Sequence, residues 1–121
     1  MNLPENLKGT PVSLLTHIAY ADGAVVSKTM LDKGIGSITL FAFDKGQGIA
    51  EHTSPFDTVM YVIEGDAQII VNAKPAIIKS GQMIIIPAGS PHSLHAVNRY
   101  KMLQIMIRAK GEKTTERAQQ E

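Results

Sequence analysis

Turn signals recur at close intervals along this chain from Asp22 to Gly89, and that punctuation limits the fold more than any other feature. They are Asp22-Gly23, Asp32-Lys33-Gly34, Asp44-Lys45-Gly46, Glu64-Gly65-Asp66, Asn72-Ala73-Lys74-Pro75, Ser80-Gly81 and Pro87-Ala88-Gly89. Between them lie short runs rich in Val, Ile, Thr, Phe and Tyr: 25–31, 37–43, 59–63, 67–71, 76–79, 83–86 and 102–107. Many short strands set off by regular turns indicate a sandwich or barrel, and no long helical pattern intervenes to build a parallel α/β sheet. Several runs are apolar on both parities, as in Met83-Ile84-Ile85-Ile86. Such strands are covered on both faces, in a compact roll or at an oligomer interface.

The ends read differently. Thr10-Pro11 ahead of Leu14, Leu15 and Ile18 fits a capped helical turn, and an edge strand over 12–19 fits nearly as well. Residues 109–121 hold no large apolar side chain and read as a disordered polar tail. No internal repeat is strong enough to use.

At 121 residues the chain suits one domain with one core. Hydrophobic residues make up 44% and charged residues 19%, and the net charge is +1. That balance supplies no basic surplus for nucleic acid and no Lys/Arg run for an anionic membrane. With no cysteine there is no disulfide framework and no thiolate nucleophile or ligand. A domain of this size without disulfides suits a reducing cytoplasm. The first residues lack the basic and apolar regions of a secretory signal. No apolar stretch approaches the ~20 residues of a membrane helix.

The informative region runs from Gly46 to Asn98. Gly46 is followed after five residues by His52, and Gly65 closes the run Tyr61-Val62-Ile63-Glu64-Gly65. Later come Gly81, Pro87, Gly89 and His92 within one twelve-residue block. This pair of blocks resembles the cupin family. Its first motif is Gly, five residues, His-x-His, three or four residues, Glu, six residues, Gly. Its second is Gly, five residues, Pro-x-Gly, two residues, His, three residues, Asn. Gly46, His52, Gly65, Gly81, Pro87, Gly89 and His92 match, while Ser54, Thr58 and Ala96 stand where His, Glu and Asn are expected. The resemblance implies an all-β cupin-type jelly-roll β-barrel, with a short N-terminal extension over about 1–24. The glycines lie between extended runs, where reversal needs φ > 0 or close backbone approach.

The resemblance also implies a metal site of three His and one Glu, suited to Zn, Mn, Fe, Co, Ni or Cu. Of those four ligands the sequence keeps His52 and His92. Ser54 and Thr58 are neutral hydroxyls, poor ligands for a divalent ion but able to meet an organic ligand. Asp57 is the nearest acid, and it needs a bulge near Pro55-Phe56 to point inward. The cofactor is therefore one divalent transition metal held by His52, His92 and Asp57, or none. His95, three residues after His92, faces the other way on a strand. His17 and Glu51 read as outward or interface residues.

Phe41, Phe43, Met60, Met83, Met102 and Met106 are candidates to line the barrel, with Phe56 at its mouth. Gln104 is the single polar residue in 102–107, and its amide either meets a ligand or pairs with backbone. There is no phosphate loop, nucleophile elbow or His-Glu-x-x-His, so a conventional hydrolase or kinase is not expected. Three functions remain: a pocket binding a small molecule through Ser54, Thr58 and Gln104, a metal-dependent dioxygenase, isomerase or lyase, and a vestigial barrel serving as an interaction subunit. Apolar excess in 25–31 and 102–107 points to a homodimer, as the resemblance also implies, with the N-terminal ~30 residues in its interface.

Overall fold

Each extended run becomes a strand in the computed structural model, which describes residues 7–109. In chain order the strands are β1 (Val25–Lys33), β2 (Gly36–Phe43), β3 (Gly48–His52), β4 (Phe56–Glu64), β5 (Asp66–Val71), β6 (Lys74–Lys79), β7 (Met83–Ile86), β8 (His92–His95) and β9 (Tyr100–Arg108). One sheet has the order β1-β2-β9-β4-β7, the other β3-β8-β5-β6, and every pairing is antiparallel. This is the jelly-roll barrel that the motif spacing leads one to expect.

The glycine spacing has a direct cause. The chain passes six times from one sheet to the other, and at four of these passages, between β2 and β3, β4 and β5, β6 and β7, and β7 and β8, a glycine makes the corner. Those four corners hold Gly46, Gly65, Gly81 and Gly89, all with φ between 80° and 88°. Gly65 is the tightest, since it alone separates β4 from β5. A Cβ there would sit 2.5 Å from the Arg99 carbonyl oxygen and 3.0 Å from the Tyr100 Cβ.

Alternation along the strands fills the space between the sheets. Val62, Met102, Phe43 and Tyr100 are buried from the five-stranded sheet, and Ala67, Ile69 and Ile78 from the other. The Phe43 and Tyr100 rings stack at 4.5 Å and 12°. These side chains plug one end of the roll. Farther along the same inward faces, β4 offers Thr58 and Met60 and β9 offers Gln104 and Met106. The plug gives way there to an open cavity.

Within 12–19, residues 14–16 form a turn and 17–18 a bend, and no helix or edge strand is present. Tertiary packing decides this, because Leu14, Ile18 and Tyr20 lie over Leu40, Ala42 and Leu103 on the outer face of the five-stranded sheet. Buried Lys101 donates from Nζ to the Leu15 carbonyl at 2.6 Å. The Tyr20 hydroxyl donates to Glu64 at 2.6 Å, and Arg99 and Lys101 each lie 5.0 Å from its ring centroid. Burial, then that hydrogen bond, raises the hydroxyl pKa above its ordinary value. Arg99 bonds Asp44 at 2.7 Å and Asp22 at 2.9 Å. The Arg99 bond first, then the Gly23 and Lys45 N–H groups, lower the Asp44 carboxyl to about 2. The polar tail expected over 109–121 falls, from residue 110 on, outside the described residues.

One turn is imperfectly matched to its sequence. Asn72 (φ 50°) and Ala73 (φ 66°) join β5 to β6, and both are left-handed. Hairpin turns of this kind favour Asn-Gly, since an L-residue such as alanine is strained there by roughly 1–2 kcal/mol. Part of that strain is offset by the larger unfolded-state entropy of glycine. Ala73→Gly should therefore stabilise the domain by about 0.5–1 kcal/mol, a rise in Tm of a few degrees (about 4 °C). A thermal melt showing lower stability would contradict the turn assignment.

Candidate functional site

Two short strands carry the histidines. In β3 and β8, His52 and His92 face each other as a cross-strand pair, with ring centroids 4.3 Å apart and planes tilted by 55°. The β3–β8 register shifts between Ile49 and His52, so both of these residues reach the cavity although strict alternation would separate them. His92 is buried and His52 exposed, the inner and outer members of the pair.

The backbone sets how each ring is presented. His52 Nδ1 lies 3.0 Å from the Ala50 carbonyl, and His92 Nδ1 lies 2.9 Å from the Ser90 carbonyl. A carbonyl oxygen only accepts, so Nδ1 holds the proton in both rings. In the neutral form of each ring, Nε2 is then the acceptor.

The cavity they line has a volume of about 410 Å³. Thr58 and Gln104 enter it from the opposite sheet, and Ser54 from the segment between β3 and β4. Phe41, Ile49, Met60, Leu94 and Met106 form its apolar walls, with Phe56 beside Ser54. Thr58 is almost wholly buried. The Ser54 Oγ accepts the Phe56 N–H at 3.1 Å, which holds the loop. Among the described residues, Gln104 Nε2 meets only a weak acceptor, the Met106 thioether sulfur, at 3.4 Å. Its inward position settles which face of β9 it occupies.

Some expected residues stand elsewhere. Asp57 is exposed and does not line the cavity. Strand β4 pairs regularly through Phe56, Asp57 and Thr58, and its bulge falls between Val62 and Glu64, so nothing turns Asp57 inward. Its carboxylate instead accepts the Ala88 N–H at 2.9 Å, while Gly89 N–H donates to the Ser54 carbonyl at 2.8 Å. Asp57 thus braces the Pro87–Gly89 corner that leads into His92. His95 is exposed. Of the expected lining, Phe43 and Met102 belong to the plug, and Met83 lies 58% exposed opposite Tyr61. Leu94 and Ile49 went unnoticed in the sequence. Leu94 was accessible from parity with His92, whereas Ile49 depends on the β3 irregularity.

The donor set does not fit a resident divalent ion. Three protein ligands are the usual minimum for a catalytic site. Among the described residues, no group of three or more His, Cys, Asp or Glu side chains could hold a metal. Two imidazoles remain, and the nearest carboxylate candidate is committed to the corner it braces.

The model of the cupin domain matches residues 39–106. A conserved protein of unknown function from Streptococcus pyogenes is 31% identical with a TM-score of 0.82, over 91% of this chain and 97% of that one. A cupin superfamily protein from Desulfitobacterium hafniense is 26% identical with a TM-score of 0.80, over 90% and 97%. A cupin 2 conserved barrel domain protein from Leptotrichia buccalis is 32% identical with a TM-score of 0.73, over 75% of this chain and 44% of that one. No curated protein matches. With a matched region covering more than half of the sequence and carrying both histidines, the chain belongs to the cupin family.

Proposed function

We propose that this cupin binds a small organic molecule in the cavity between its sheets, with His52 and His92 contacting it directly. The observation that carries this reading is the pair of imidazoles whose Nδ1 atoms are tied to backbone carbonyls, at the wall of a 410 Å³ cavity. Cavities of this size with a few convergent polar groups in an apolar lining suit small ligands. Ser54, Thr58 and Gln104 supply the remaining polar contacts. A metal-dependent dioxygenase, isomerase or lyase is the second reading. Its one supporting feature is the same carbonyl tether, which commonly orients metal-bound histidine. A fragment titration followed by amide NMR tests the first reading. Binding should shift signals around Met60, Leu94 and Gln104, and His52→Leu should weaken those hits. Shifts scattered over the outer surfaces instead would rule the cavity out.

The partner reading is a homodimer, with no nucleic acid and no membrane. Among the described residues no helix is long and apolar enough to cross a membrane, and the cysteine-free composition favours the cytoplasm. Leu31, Ile38, Ile105, Val59 and Ile85 align across all five strands of one sheet. Ile85, Ile107 and Ile35 are exposed along the same region. Covering an apolar face of this kind favours self-association. Sedimentation should give a dimer, and a monomer at high micromolar concentration would overturn it. The N-terminal segment, expected in that interface, packs on its own sheet through Ile18 and Leu14.

A further inference from the structure

The cavity lining also limits the chemical class of ligand, an inference that rests on the binding reading above. Among the described lining residues there is no Lys, Arg, Asp or Glu. A buried carboxylate or phosphate would lack a fixed cation, and a buried ammonium a fixed anion, and either arrangement is strongly unfavourable. One wall presents two hydrogen-bond acceptors, because both Nδ1 atoms already donate to Ala50 and Ser90. The opposite sheet presents the Gln104 amide, held only by a thioether sulfur, and the Thr58 hydroxyl. The rest of the lining is mainly apolar, with Phe41, Met60 and Met106 on the sheet of Gln104 and Leu94 on that of His92.

We infer that the ligand is a small uncharged molecule with a flat apolar body and hydroxyl groups that donate to His52 Nε2 and His92 Nε2. An acceptor oxygen at its other end meets the Gln104 amide. The volume of about 410 Å³ is near the lower end for small-molecule pockets, which favours a single ring over a fused system. Donor recognition of this kind discriminates well, since an analogue lacking the O–H leaves the buried His92 acceptor unpaired.

Three probes of similar size separate the possibilities: catechol, 1,2-difluorobenzene and benzoate. Affinity is read by calorimetry, and contact by the ¹⁵N shifts of the two Nε2 atoms. Catechol should bind roughly tenfold tighter than difluorobenzene, as one or two net hydrogen bonds imply, and should move both Nε2 signals. Benzoate should bind no better than difluorobenzene. His92→Leu should remove the preference for catechol. Because His92 is buried, the exposed His52→Leu serves as the second variant and should cut the preference to a few-fold while the circular dichroism stays native. Equal binding of catechol and difluorobenzene, or tighter binding of benzoate, would overturn the ligand class and leave the cavity reading standing. Failure of all three probes to enter the cavity would overturn both.

Discussion

Gly65→Ala should destabilise the barrel by about 3 kcal/mol, which for a domain of this size lowers Tm by roughly 15 °C. Two effects combine. The left-handed backbone at φ 80° strains any residue with a Cβ by roughly 1–2 kcal/mol. The added methyl would also press on the Arg99 carbonyl and the Tyr100 Cβ, where backbone cannot retreat without disturbing β9. Gly81→Ala is the internal control. Its φ is 88°, but a Cβ there meets nothing within 4 Å, so only the conformational part of the loss should appear. Denaturant midpoints for both variants measure the difference. Equal losses would mean that close packing at the β4–β5 corner contributes nothing.

Ser54→His with Thr58→Glu should convert the cavity into a metal site. Both positions line the cavity with His52 and His92, so the new donors would join the two imidazoles already present. Four-ligand structural zinc sites bind with ~10–16 kcal/mol, or about 3 kcal/mol for each donor if shared evenly. Two added donors should then raise Zn²⁺ affinity by on the order of a thousandfold or more. The metal-free variant should melt below the native protein, because position 58 is buried and would hold an unpaired carboxylate. Added Zn²⁺ should reverse that loss in a concentration-dependent way. A variant that stays folded and takes up no metal would show that the two histidines are not disposed to share a ligand.

What the sequence makes legible here depends on how local the cause is. The four corner glycines and the two histidines follow from spacing, because a left-handed corner needs its glycine at a fixed distance from the strands on either side. Parity puts His95 on the face away from His92 once a strand is assumed, but it does not say which face of the 102–107 run is inward. Other features depend on partners distant in the chain. Asp57 stays outward because β4 bulges six residues later than an inward turn would need. Gln104 could be assigned a face only through its pairing with Met60 and Thr39 on the flanking strands. Residues 12–19 have an ambiguous pattern, and their course follows from the Lys101 side chain that bonds Leu15 and from the packing of Leu14 and Ile18 on the sheet. Met83 shares the apolar character of the core yet lies opposite Tyr61 on the outer face, where composition alone gives no warning.

The central claim is that His52 and His92 contact the ligand themselves, with no resident ion between. Elemental analysis of the native full chain, purified without an affinity metal column, tests it most directly. The expected result is transition metal well below one equivalent per chain. One equivalent of a single metal, lost on His92→Ala while the circular dichroism spectrum stays native, would contradict it.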